Sequence, residues 1–465
     1  MRRSIGSFVL AGVLFGTADA GAAPIAVTSA FGRPAVEHPR GVTLSDITGD
    51  GNADVVVANY TAAAASPGSI SVFPGDGAGA LRARRDYAVG DGPVSVVAAD
   101  LNGDKQSDVA VADVAASKVF VLLNDPARDR LRAPAGYPVG GAPIDLLARD
   151  LNRDGKVDLA TVNHDTNTLS VLHGNGNGTF EAAASYSTGS AVPVSLAAGD
   201  VTGDARLDIV VSHYDSDLIT VLAGNPAGGF EAPAHFSVGD APIGVVVADF
   251  NRDGRPDAAV ANSRANTLSV LLGTAGSLGS ATSYPVGPAP RSVAVGDLNR
   301  DGRLDLVVAN SGSEGLNSIT TLAGRANGTF SPGTNHVAGV SPFDVAVGRV
   351  NRDAKPDIAL TNYYSNRSSV VLGCTRIGTQ GNDVLRGTTG RDVMCGRGGR
   401  DSLAGKAGGD VLDGGAGADT MVGGVGGDRF FARDGRRDRV YGGDGTDSAQ
   451  IDPGVDVRNS IERLF

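Results

Sequence analysis

Asp150-Leu-Asn-Arg-Asp-Gly-Lys-Val-Asp158 decides the fold, because the chain repeats it. Aligned on this acidic core, the unit recurs at Asp46 to Asp54, Asp100 to Asp108, Asp200 to Asp208, Asp249 to Asp257, Asp297 to Asp305 and, altered, Arg349 to Asp357. The starts lie 54, 50, 50, 49, 48 and 52 residues apart. A period near 50 residues marks a propeller or solenoid rather than a single layered domain. Short apolar runs flank each core, as in Val94-Ser-Val-Val-Ala-Ala99 before it and Val109-Ala-Val-Ala112 after it. These are the runs of buried strands. A third run follows a polar loop (Leu169-Ser-Val-Leu172), and a fourth contains Tyr87, Tyr137, Tyr186, Phe236 or Tyr284. Four strands per repeat make a propeller blade, so residues 24–373 are predicted to form an all-β, seven-bladed β-propeller. The last repeat stops after Val370-Val-Leu372, and Ile25 to Phe31 is expected to supply its missing strand. An open solenoid of the same units would leave two bare sheet edges.

After Cys374 the spacing falls to nine. Gly-x-x-Gly-x-Asp recurs with Asp383, Asp392, Asp401, Asp410, Asp419 and Asp428 in phase, then Asp438 and Asp447 after a one-residue slip. An apolar residue sits two places after each of the first seven: Leu385, Met394, Leu403, Leu412, Met421, Phe430 and Val440. A glycine turn plus a very short strand with one inward side chain is the unit of a calcium-binding parallel β-roll. The roll is placed at 374–450, with a C-terminal cap at 451–465.

The N-terminus carries the parts of an export signal. Arg2 and Arg3, the apolar run Ile5 to Phe15 and Ala18-Asp19-Ala20 read as a signal peptide over residues 1–20, so a secreted, extracellular protein is expected. No stretch is long enough to span a membrane as a helix. A net charge of −11 argues against nucleic-acid binding, which needs clustered Lys and Arg. The only two cysteines, Cys374 and Cys395, are expected to pair in an oxidising compartment.

Excess acid in tight loops calls for a hard cation, and calcium takes six to eight oxygens at flexible geometry. Positions one, three, five and nine of each core carry oxygen-bearing side chains. The expected ligands are Asp46, Thr48, Asp50 and Asp54; Asp100, Asn102, Asp104 and Asp108; and Asp150, Asn152, Asp154 and Asp158. The next three loops offer Asp200, Thr202, Asp204 and Asp208; Asp249, Asn251, Asp253 and Asp257; and Asp297, Asn299, Asp301 and Asp305. Position seven adds a carbonyl, and Gly155 at position six permits the turn. Lys105 and Ala205 replace that glycine at a cost in strain. In the seventh loop Arg349 replaces the first Asp and Ala354 the glycine, so Arg349 is expected to pair with Asp353 and Asp357 and leave six propeller sites. The eight nonapeptide aspartates are the expected ligands of the roll.

These cores, with Gly-Asn-Gly-Asn-Gly-Thr-Phe at 174–180, resemble the FG-GAP/VCBS repeats of integrin α propellers and many secreted bacterial proteins. The nonapeptides are similar to RTX haemolysin-type repeats. The resemblance implies calcium in the loop between the first two strands of each blade and between successive turns of the roll. RTX proteins usually leave by a C-terminal signal, from which an N-terminal signal peptide departs.

No nucleophile elbow, His-Glu-x-x-His motif or phosphate-cradling loop is present, so no enzyme activity is expected. His164 and His213 read as replacements for the Asn, or its neighbour, that closes the second strand elsewhere. The expected function is a calcium-stabilised interaction or adhesion module. Its partner face, opposite the acidic loops, carries Tyr60, His164, Tyr214, Arg264, Tyr363, Tyr364 and Arg367 for an extracellular protein or a glycan. A carbohydrate-binding or polysaccharide-cleaving propeller is the alternative, weakened by the absence of Trp.

Overall fold

The computed structural model describes residues 25–28, 31–35, 37–61, 67–125, 127, 130–312, 318–353 and 355–465. The expected signal peptide and Ala354 lie outside them. Seven four-stranded antiparallel sheets follow one another along the chain, each built as the repeat predicts. In the third blade these are Pro143–Arg149, Asp158–Asn163, Thr168–Leu172 and Ala184–Ser187. Every inner strand opens on a proline (Pro39, Pro93, Pro143, Pro193, Pro242, Pro290, Pro342), where a missing N–H costs no ladder bond. The register shifts just after that proline, for example between Pro143 and Asp145.

Second strands are buried along their whole length, as in Asp54–Asn59 and Asp257–Asn262. Their Val, Ala, Leu and Ile residues face neighbouring blades on both sides, so they do not alternate with polar residues. Val56, Ala58, Ile70 and Val72 of blade one pack on Val96, Val109, Val111 and Leu122 of blade two. The ring closes where Val42, Val55 and Val57 meet Val350, Ala359 and Val370. The closing strand is Phe31–Pro34, paired antiparallel with Arg367–Val371. It lies further along the chain than the Ile25 to Phe31 expected from sequence. The earlier residues extend the pairing by a bridge from Val27 to Gly373 and by Thr28 N–H donating to the Leu372 carbonyl at 2.9 Å.

The roll follows as two parallel sheets. One runs through Arg376–Ile377, Val393–Cys395, Val411–Asp413, Arg429–Ala432, Ser448–Ile451 and Arg463–Leu464. The other runs through Val384–Arg386, Ser402–Ala407, Thr420–Val425, Arg439–Asp444 and Val457–Asn459. Two nonapeptides make one turn, so Leu385 pairs with Leu403 and Met394 with Leu412. Met394, Leu403, Leu412, Met421, Phe430 and Val440 are buried between the sheets, and Leu385 packs against them. Residues 451–465, expected as a cap, add a strand to each sheet. Cys374 and Cys395 form the expected disulfide, Cα atoms 5.9 Å apart. Beside it Phe431, Val393 and Val411 join Leu372, Phe73 and Leu81 of the propeller in one apolar cluster.

At the end of the second strand, Asn59, Asn163, Asn262, Asn310 and Asn362 are buried, and in blade three the Asn163 amide donates to Thr168 Oγ1 at 3.0 Å and Ser170 Oγ at 2.9 Å. Blade four has His213 here, fully buried, its Nδ1 3.1 Å from the Ala191 carbonyl and its Nε2 without a partner. Burial pushes its pKa down to about 4. The unfolded chain then binds the extra proton between about 4 and the ordinary value near 6.5, so stability is lost as pH falls through that window. His213→Asn should remove this loss. Denaturant unfolding at neutral pH and near pH 4 should show wild type losing about 3 kcal/mol more than the variant, and parallel losses would refute the assignment.

Candidate metal centres

Position nine of each acidic core is the most buried group in its loop. Asp54 has no solvent exposure and accepts from Ile47 and Thr48 N–H on one oxygen and Gly75 N–H on the other, each at 2.9 Å. Asp108, Asp158, Asp208, Asp257, Asp305 and Asp357 repeat the arrangement, each joining the start of its loop to the residue just past the third strand. Burial pushes Asp108 and Asp305 up to about 6 and Asp357 to about 7, against the pull of those bonds. Position nine is therefore a structural pin whatever else it binds.

Position one curls the loop. Asp46 accepts from Gly49, Asp50 and Gly51 N–H at 2.7, 3.1 and 2.8 Å. Asp100, Asp150, Asp200, Asp249 and Asp297 each take the N–H at position six. That bond needs a left-handed residue there, and Lys105 and Ala205 adopt φ of 69° and 68° in place of glycine. Positions three and five hold the next turns, with Asp104 N–H on Asn102 and Gln106 N–H on Asp104. The position-one oxygen that takes the position-six N–H, such as Oδ2 of Asp46, Asp100 and Asp150, keeps a further lone pair. Sequence reading overlooked the cations beside position five: Lys156, Arg206, Arg255 and Arg303 at position seven, and Arg82, pair with the Asp of their loops. The exposed ones among these pairs are worth little, whereas Asp301 in the Arg303 pair is largely shielded from water. Among the described residues no three Asp, Glu, His or Cys side chains close around one point. The propeller thus supplies curled, acid-lined loops rather than a preformed cage.

The seventh loop differs from expectation. Arg349 is exposed, and among the described residues it pairs with neither Asp353 nor Asp357. Asp357 is out of its reach, fully buried as the pin of its blade. With no carboxylate at position one to collect N–H groups, the loop packs on blade one instead. Arg352 N–H donates to the Gly77 carbonyl at 3.0 Å and its Nε to Asn52 Oδ1 at 2.9 Å.

The roll fits a cation more closely. Each Asp N–H donates to the Oδ1 of the Asp one turn later: Asp383 to Asp401, Asp392 to Asp410, Asp401 to Asp419, Asp410 to Asp428, Asp419 to Asp438 and Asp428 to Asp447, at 2.7–2.8 Å. The other oxygen, Oδ2, is buried and without a partner in Asp401, Asp410, Asp419, Asp428, Asp438 and Asp447. A Cβ added at Gly396 would collide with both Asp401 Oδ2 and the Gly414 carbonyl, and one at Gly405 with Asp410 Oδ2 and the Gly423 carbonyl. Oxygens from neighbouring turns thus gather where glycine leaves room, a donor set suited to calcium. Asp456 and Glu462 extend the ladder by accepting from Asp438 and Asp447 N–H. Asp456 stands nine residues after Asp447, in phase, but Arg458 replaces the apolar residue that marked the other repeats.

Of the expected partner face, His164 and Tyr214 line the cavity at the channel mouth opposite the acidic loops, and Tyr60 and Tyr363 face Arg40, which lines it as well. Arg264 lies over the Tyr214 ring at 4.7 Å and Tyr364 edges onto Tyr363 at 5.1 Å. Arg367 stands apart, lining a cavity of about 630 Å³ beside Arg391 of the roll.

Burial pushes Asp410 and Asp419 up to about 6 and Asp428 and Asp438 to about 7. These carboxyls hold protons in the folded state that the unfolded chain releases, so without metal the roll loses stability as pH rises from about 4 to about 7. Residues 374–465 should give a coil-like circular dichroism spectrum at pH 8 in excess chelator. Either calcium or acidification to about pH 4 should raise the β-signal, since each rung buries too little apolar surface to offset its entropy alone. An equal β-signal in calcium and chelator at pH 8 would contradict this.

The FG-GAP-like repeat matches residues 41–111, 150–211, 202–260, 249–308 and 297–360, more than half of the chain. The RTX calcium-binding nonapeptide repeat matches 377–412 and 396–430. No curated protein matches the sequence. Among solved structures, a catalytically inactive virginiamycin B lyase of Staphylococcus aureus with quinupristin is 14% identical, covering 74% of this chain and 98% of its own, with a TM-score of 0.51. Hydrazine synthase of Kuenenia stuttgartiensis gives 14%, 78%, 99% and 0.53, and a protein from Lactobacillus plantarum 16%, 68%, 90% and 0.51. At such identities the likeness is of fold alone. The chain belongs to the FG-GAP-like repeat family and carries RTX calcium-binding nonapeptide repeats after its propeller.

Proposed function

We propose that the protein works outside the cell as a calcium-stabilised, non-catalytic interaction module, with its partner bound at the propeller face opposite the acidic loops. The observation that carries this reading is the concentration of rings and guanidiniums at the channel mouth, where Arg40 lies over Tyr60 and Arg264 over Tyr214. Aromatic and Arg side chains are the usual anchors of interfaces. The disulfide and the calcium-binding repeats suit an oxidising, calcium-rich compartment, and among the described residues no helix is long and apolar enough to cross a membrane. In the loops, Asp46 through Asp305 at positions one, three, five and nine are the proposed propeller ligands; in the roll they are the Oδ2 atoms from Asp383 to Asp447 with the facing glycine carbonyls.

The alternative, a carbohydrate-binding or polysaccharide-cleaving propeller, is favoured by a cavity of about 350 Å³ at the same mouth, a small-molecule volume. A screen of extracellular-matrix proteins and glycans should show capture in calcium, at least about tenfold weaker in chelator and in Tyr214→Ala. Capture that ignores both changes, or none in calcium, would count against the proposal.

A further inference from the structure

Arg40 and Arg291 each follow the proline that opens an inner strand, in blades one and six, and the closed ring brings both to the channel mouth. The Nε of each is buried and without a hydrogen-bond partner. Among the described residues no carboxylate pairs with either. Rings support them instead: Arg40 lies 4.0 Å from the Tyr60 centroid, and Arg291 4.2 Å from that of Phe343, which Arg40 also faces at 5.5 Å. Burial, and then the neighbouring Arg40 charge, hold the Arg291 pKa below its ordinary value.

Two acids lie in the same cavity, and both are already occupied. Asp145 accepts from Ser95 and Ser195 hydroxyls and from Leu146 and Leu196 N–H. Asp344 accepts from the Ser292 hydroxyl and from Val42 and Val345 N–H. Half-buried guanidiniums that no carboxylate pairs with are costly unless an anion joins them, and a carboxylate matches their fork. The acids disfavour a dianion such as a phosphate. The cavity of about 350 Å³ holds more than one acidic side chain, and its rim adds His164, Tyr214 and Ser263 as hydrogen-bonding groups.

We propose that this cavity binds a uronic-acid unit, its carboxylate between Arg40 and Arg291 and its hydroxyls toward His164, Tyr214 and Ser263. The inference rests on the binding-module reading for its choice of face and names the ligand class that face takes.

Titration calorimetry of the full chain in excess calcium should show binding of digalacturonate. Galactose, galactose sulfate and a glutamate-rich peptide should bind at least about tenfold more weakly. Arg40→Gln and Arg291→Gln should each cost about tenfold or more. Arg291→Lys, which keeps the charge in that partly enclosed place, should fall between wild type and Arg291→Gln, while Arg458→Gln on the roll should change nothing. Thermal melts confirm which variants are folded. Absence of digalacturonate binding, its survival in the folded Arg40→Gln variant, or tighter binding of peptide or sulfate would overturn the inference. A partner still captured in the matrix and glycan screen would then show that this site failed while the interaction module stood.

Discussion

A buried aspartate carboxylate that accepts backbone N–H groups holds both halves of this protein together. Removing a carboxylate from water costs several kcal/mol unless donors or cations replace the lost hydration. In the propeller the replacement gives both oxygens donors, though burial still raises the pKa of pins such as Asp357: Asp158 has an N–H from Leu151 on one oxygen and from Gly174 on the other. In the roll it is half complete, because Asp419 Oδ1 takes the Asp401 N–H while Oδ2 meets nothing. The same residue type therefore makes one domain self-sufficient in its frame and leaves the other waiting for positive charge.

This difference explains how the two domains divide labour. Blades bury whole strands against each other, so apolar burial closes the ring and the curled loops at its edge are additions to a finished frame. Each rung of the roll contributes little more than one inward side chain, and its core is two facing files of single side chains from Met394 to Ala449. The disulfide at Cys374 and the cluster around Phe431 anchor the first turns to the propeller exit, so the roll begins from a fixed end.

Much of this was legible in sequence because repeats report local structure many times over. The 50-residue and nine-residue periods carry the blades, the rungs and the inward apolar residues. What escaped was non-local. The register of the closing strand is set by Arg367–Val371, over 300 residues away, and placed it at Phe31–Pro34. Arg349 and Asp357 are close in sequence, yet one is exposed and the other is a buried pin, a distinction that loop spacing does not encode. Arg40 and Arg291 look unremarkable one at a time, and only ring closure makes them neighbours.

The most direct test of the central claim is amide hydrogen exchange on the full chain, in calcium and in chelator at pH 8. The amides of Asp401, Asp410, Asp419 and Asp428, which donate along the ladder, should lose protection in chelator. Those of Leu101, Leu151 and Gly174, which donate to the propeller pins, should keep it. Ladder amides equally protected in both buffers, or pin amides lost first, would contradict the account.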